Sequence, residues 1–192
     1  MKSTELLLIA LDHFAKEGYE GASLSNIAEE AGIKKPSIYA HYKGKDDLFL
    51  SAMKYSLDTQ RDHLAAYFSS VRNEPLEAVL KGYFTWFAKE NDENEQMKFI
   101  LRVTYFPPVK LEKEIGELIN PFFDDMHRHL TRLLRERERQ QQILYSDDFS
   151  SNALAFLTIM EGTMTELVYS GIEGYWKRLD AIWPIFWRGL IR

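Results

Sequence analysis

The stretch that most constrains this chain is residues 23–42, SLSNIAEEAGIKKPSIYAHY. Ser23 can cap a short helix whose Leu24, Ile27, Ala28 and Ala31 form one apolar face. Gly32 then supplies the positive φ that a tight turn needs. Pro36 sits near the first position of the following helix, where its missing N–H costs nothing. Two short helices joined by a Gly-containing turn make a helix-turn-helix, whose second helix can enter the major groove of DNA. At 100° per residue that second helix sorts its own faces. Ile38 and Tyr42 fall together and must point inward, Pro36, Ser37 and Ala40 lie opposite, and Tyr39 and His41 occupy the flanks.

Such a unit needs more helices around it. Ser3 can cap a first helix over about 3–17, with Leu7, Ala10, Leu11 and Phe14 on one stripe. Gly18 stops it, and Tyr19 makes a contact just beyond. After the break at Gly44 and Lys45 a long helix is predicted over about 46–71, carrying Leu48, Ala52, Tyr55, Leu64 and Phe68. Helical periodicity continues over 75–90, over 95–105 (stopped by Pro107 and Pro108), over 111–119, and over 121–142 with Pro121 at its start. The last two predicted helices are 148–170 and 174–191. Strand-type alternation is scarce, so the expected fold is all-α with about nine helices: a three-helix DNA-binding domain over residues 1–46 and a larger helical domain over 47–192. The helix at 148–170 is apolar nearly all round, which implies burial on every side. The one after it has a broad aromatic face. In a chain of this size a second copy would cover them, so a homodimer is expected, with Leu157, Glu161, Trp183, Phe186 and Trp187 as candidate interface residues.

Charge decides how the chain could meet nucleic acid. The net charge is −5, which argues against a protein coated with nucleic acid but leaves room for a local contact. Residues 1–50 hold six Lys and eight acids, yet Lys34, Lys35, Lys43 and Lys45 fall within residues 33–45, where there is no acid. A basic strip on an acidic body suffices for docking. The absence of cysteine excludes a disulfide framework and thiolate metal sites. There is no signal-peptide pattern and no apolar run of membrane length, so a cytoplasmic protein without a membrane partner is expected. No metalloprotease motif, nucleophile elbow, P-loop or paired-carboxylate motif occurs, so neither catalysis, a metal nor a cofactor is expected. His127 and His129 are two apart and point to different helix faces. The charged run 128–139 reads as a solvated face with i, i+4 pairs.

Residues 18–49, GYEGASLSNIAEEAGIKKPSIYAHYKGKDDLF, resemble the DNA-binding segment of the TetR family of transcriptional regulators. The shared pattern is Gly-aromatic, a hydroxyl cap, Ile-Ala, Ala-Gly-Ile, then a Lys-x-Ser-aliphatic-Tyr recognition helix and Lys-acid-acid-Leu-aromatic. The resemblance implies an Ω-shaped, all-helical dimer that binds a double-stranded DNA operator and responds to a small molecule, usually by releasing the DNA. It further implies phosphate contacts for Ser23, Tyr39 and Lys45, and a position at or near the bases for Ser25, Lys35, Pro36, Ser37, Ala40 and His41. Lys34 joins them by its place in the basic strip. Ala40 stands where a bulkier residue is common, and can offer a base only its methyl group. The usual basic arm before the first helix is reduced to Lys2.

The aromatics and methionines of the middle helices are candidates for an apolar effector pocket: Phe68, Trp86, Phe87, Phe99, Tyr105, Phe123, Met126 and Met160, with Arg102 as a polar anchor. Most such residues are core in any helical protein, and Arg102 and Glu161 could equally form structural ion pairs. The reading that results is a DNA-binding regulator, a repressor released from a palindromic operator by a small hydrophobic or aromatic effector. The alternative is a helical small-molecule-binding protein whose helix-turn-helix is vestigial.

Overall fold

The computed structural model describes residues 3–192, without the side chain of Ser3. The expected Ser3 cap and Lys2 therefore lie outside the described residues. Eight α-helices follow one another: α1 Ser3–Gly21, α2 Leu24–Glu30, α3 Lys35–Ile38, α4 Lys45–Ser70, α5 Leu76–Glu93, α6 Glu95–Tyr105, α7 Glu112–Gln141 and α8 Phe149–Leu190, with a 3₁₀ turn at Val109–Leu111. Among the described residues the extended structure amounts to one isolated antiparallel bridge, Leu144 with Ile191. Among the described residues no helix is long and apolar enough to cross a membrane.

Two boundaries differ from those read off the sequence. The helices expected at 111–119 and 121–142 are one helix, α7, which continues through Pro121. Proline has a helical φ and removes a single ladder bond, a loss that packing can absorb. The helices expected at 148–170 and 174–191 are the two arms of α8, whose helical geometry breaks at Gly171 (φ 73°, ψ −168°).

By packing, the chain forms two compact units: residues up to Leu64 with Glu90–Asn120, and Ala65–Lys89 with Pro121–Arg192. The first unit is larger than three helices and a linker because α6 lies on α1. Its core is Leu6, Ala10, Phe14, Ile27, Ile38, Leu48, Ala52, Met53 and Phe99 around Phe49. Phe49 meets the rings of Phe14, Tyr19 and Phe99 edge-on at centroid distances of 4.9, 5.1 and 5.5 Å. Such edge-to-face pairs are the favoured aromatic geometry. Of the stripe expected on α1, Ala10, Leu11 and Phe14 are buried, and Leu6 is buried where Leu7 is only half-buried.

The second unit has its own aromatic core. Tyr83, Phe84, Phe87, Phe156, Tyr175 and Trp183 are all at least nine-tenths buried. The phenol of Tyr175 donates to the Phe84 carbonyl at 2.8 Å and the Trp183 indole to Glu77 at 3.1 Å, so each polar handle is satisfied inside the unit. Arg137 corrects the reading of 128–139 as a wholly solvated face. It is buried and donates to the carbonyls of Arg72 (2.8 Å) and Glu74 (2.9 Å), closing the turn between α4 and α5.

Candidate nucleic-acid interface

The turn of the helix-turn-helix is built by backbone bonds. Gly32, at φ 65°, donates to Glu29 and Ile33 donates to the Ala28 carbonyl at 2.9 Å. These two bonds with a left-handed residue between them form a Schellman end, which is why glycine occupies the position. At the other end of α2 the Ser23 hydroxyl accepts from the N–H groups of Ser25 (3.1 Å) and Asn26 (3.3 Å). Ser23 is thus the N-cap, and its own hydroxyl donates to the Asn26 side-chain oxygen at 3.4 Å.

The recognition element is short. α3 has four residues, after which tight turns carry the chain on: Ala40 donates to Ser37 and His41 to Ile38. The faces sort as the 100° rule requires. Ile38 is fully buried and Tyr42 is 9% exposed, while Tyr39 is 54% exposed. Lys34, Lys35, Pro36, Ser37, Ala40, His41 and Lys43 are all exposed, as is Ser25. The ten candidate DNA contacts therefore gather on one unit, eight of them exposed, with Ser23 and Lys45 half-buried.

Lys45 is the contact most tied into the fold. Its ammonium donates to the Glu20 carbonyl at 3.3 Å and stands 4.5 Å from the centroid of the Tyr19 ring. Beside it, Asp46 accepts from the Tyr19 hydroxyl and pairs with Lys110 at 2.8 Å. The Lys110 bond, then the Tyr19 bond, hold the Asp46 carboxyl below its ordinary range. Lys110 carried no signal in the sequence, because it belongs to no motif and lies far along the chain from its partners.

The candidate effector residues divide between the two units. Phe99, Arg102 and Tyr105 belong to the first, and Phe68, Trp86, Phe87, Phe123, Met126 and Met160 to the second. Phe87, Met126 and Met160 are closely buried. Phe68 packs on the ring of His129 at 4.3 Å. Arg102 serves the fold: it donates to the Ala15 carbonyl at 3.4 Å and covers Gly18, so it caps the main arm of α1. An open groove of about 440 Å³ in the first unit is lined by Asp12, His63, Glu90, Glu93 and Glu95 among others, and by none of the nine candidates. Of the candidate interface residues, Leu157 and Trp183 are buried within their own unit, whereas Glu161 is exposed and Phe186 and Trp187 are half-buried. Arg137 was legible in principle, since it continues the buried line Met126, Leu130, Leu134 of α7.

The family model of bacterial regulatory proteins, TetR family, matches residues 6–52, the whole of this helix-turn-helix with its flanking helices. Over this segment the chain carries the DNA-binding pattern of the TetR family. The repressor AcnR of Corynebacterium jeikeium is 24% identical over 186 residues, 94% of this chain and 89% of its own length. The chain spans about a quarter of the length of the first curated relatives it matches. Among solved structures, a TetR-family transcriptional regulator from Mesorhizobium loti has a TM-score of 0.77 at 18% identity, covering 98% of this chain and 96% of that one. FadR from Bacillus subtilis, solved with stearoyl-CoA, has a TM-score of 0.68 at 17% identity, covering 98% and 99%. At these identities the likeness is one of fold.

Proposed function

We propose that this chain is a transcriptional repressor that binds a (pseudo)palindromic operator as a homodimer and is released by a small hydrophobic or aromatic effector. The observation that carries the reading is the chemistry of the exposed side of residues 34–43. Three lysines, a serine, a tyrosine and a histidine stand outward while Ile38 and Tyr42 anchor the element from behind. Lysines and hydroxyls are the groups that hold phosphates, and they position the element so that Ser37 and Ala40 meet base edges. AcnR is named a repressor, and the FadR complex supports an apolar effector in a fold of this kind.

The homodimer is supported by the outward face of α8. Leu154, Thr158, Glu161, Thr165 and Tyr169 recur at helical spacing on the first arm, all exposed but the half-buried Thr165, and past the break at Gly171 Ile172, Ile182 and Ile185 stand out on the second. Leu154, Tyr169, Ile172, Ile182 and Ile185 are large apolar side chains left exposed on one helix, the kind of surface that association covers. Two recognition elements so joined read two half-sites about one helical turn of DNA apart, roughly 34 Å. An effector that binds better to a state with unmatched spacing lowers DNA affinity by linkage.

A mobility-shift titration with DNA from upstream of the chain's own gene tests the reading. A sequence-specific complex that weakens steeply with salt is expected. Absence of sequence-specific binding even at low salt overturns it.

A further inference from the structure

The carboxylate of Asp46 is a junction of three chain segments. Asp46 is the second residue of α4. Its Oδ1 accepts from the Tyr19 hydroxyl, at the end of α1, and from the Lys110 ammonium, on the 3₁₀ turn before α7. Tyr19 itself is 7% exposed and packed on Phe49, so its hydroxyl is a fixed point. Its ring gathers two cations, Lys45 at 4.5 Å and Lys110 at 4.7 Å from the centroid, both within cation–π range. Lys45 is further tied to the Glu20 carbonyl. The turn carrying Lys110 is anchored by the buried Leu111.

We infer that Lys110 is a positioning residue for DNA binding: by holding Asp46 against Tyr19 it fixes the first turn of α4 and the direction of Lys45. The inference rests on the DNA-binding function proposed above. Lys110 and Asp46 are each about half exposed, 53% and 50%, and ion pairs so placed contribute little to folding stability. What the arrangement does supply is geometry. Two ammonium groups beside one ring repel each other, a repulsion that the Asp46 carboxylate paired with Lys110 offsets, and Lys45 is held by that ring and one carbonyl. The position of the turn at residues 109–111 is thereby read at the residue that meets a phosphate.

Simple electrostatics and this arrangement predict opposite signs. Asp46→Asn removes a negative charge beside the DNA surface, which by charge alone tightens DNA binding. If the carboxylate positions Lys45, the same change weakens it, and we expect at least a fivefold rise in Kd. Lys110→Gln is expected to weaken binding to a similar extent while its melting temperature stays within about 4 °C of wild type. Lys110→Arg, which keeps the ion pair and the ring contact, restores affinity. The double variant Asp46→Asn with Lys110→Gln binds no worse than either single one, because both break the same link.

The experiment is a set of salt titrations of these variants on upstream DNA, with hydrogen exchange of the DNA-free proteins. Faster exchange over the first turn of α4 in the Gln and Asn variants, but not in the Arg variant, supports the positioning role. Tighter binding by Asp46→Asn overturns it. So does a salt slope lowered by about one in Lys110→Gln, the sign of a direct phosphate contact. Unchanged exchange with unchanged affinity also overturns it. If wild type shows no specific DNA binding, the functional reading falls instead, and the exchange data still report whether the link exists.

Discussion

Ile38 and Tyr39 are neighbours with opposite duties, and the difference is where each side chain points. Ile38 is fully buried under the recognition element. Ile38→Ala should cost about 2–5 kcal/mol of stability, lowering the urea midpoint. Tyr39 is half exposed, so Tyr39→Ala should leave stability within about 0.5 kcal/mol. It should nonetheless weaken operator binding, measured by anisotropy under conditions where both proteins are folded. Gly18 shows a third kind of duty. Its φ of 74° and ψ of 178° belong to a region essentially reserved for glycine, and a Cβ there would lie 2.9 Å from the Arg102 guanidinium. The guanidinium can move, but the backbone cannot. Gly18→Ala should therefore cost about 1–3 kcal/mol, read from the same unfolding curves. A Gly18 that needed only to end a helix would tolerate the change better.

At the scale of elements, the recognition helix was legible because its two inward residues are spaced one turn apart and everything else on it is free to face outward. The interface was less legible. Periodicity marks a helix as apolar on several sides, but does not say which side its own protomer covers. In α8 the protomer claims Phe156, Leu157, Met160 and Trp183, and leaves Leu154, Ile172, Ile182 and Ile185 outward. Leu157 and Trp183 were natural choices for an interface by size, and both are spent on the core. Charging the outward line should divide the proposed dimer. Leu154→Glu with Ile185→Lys is expected to sediment as a monomer at concentrations where wild type is a dimer. Near-wild-type far-ultraviolet circular dichroism would show that the helices persist. Operator affinity should fall as dimerisation is lost, since each half-site contact is modest and the pair acts as one.

At the scale of the whole molecule, stability should be bounded by acid on one side and alkali on the other. Asp46 is held below its ordinary range by Lys110 and then Tyr19, Asp148 by the amide and hydroxyl of Ser151, and Glu166 by Ser170 and then Arg178. A folded value below the unfolded one means stability that is present above the ordinary carboxylate range, about pH 4, and is lost as pH falls through the folded values. Burial acts the other way on phenols and pushes Tyr67 up to about 12. Its contribution is full below the ordinary tyrosine range, about 10, and disappears as pH climbs toward the folded value. Burial also holds His129 below its ordinary range. Melting temperature should therefore be highest at neutral to mildly alkaline pH, begin to fall as pH drops through the ordinary histidine range, about 6.5, and fall at both ends. Asp148→Asn should lie below wild type at neutral pH and converge with it in acid.

The amino-acid sequence by itself determined the helix-turn-helix, its capping by Ser23, its turn at Gly32, and which residues of the recognition element face out. All of these are local, set by spacings of three or four residues and by the few residue types that cap or turn a chain. Tertiary structure alone decided the rest. It brought Lys110 to Asp46, sent Arg102 to the end of α1 and Arg137 to the turn before α5, and chose which apolar residues of α8 remain outside. Those outcomes depend on which helices lie against one another. A hydrophobic pattern states how much apolar surface a helix must cover, but the partner that covers it is set by contacts between segments far apart along the chain.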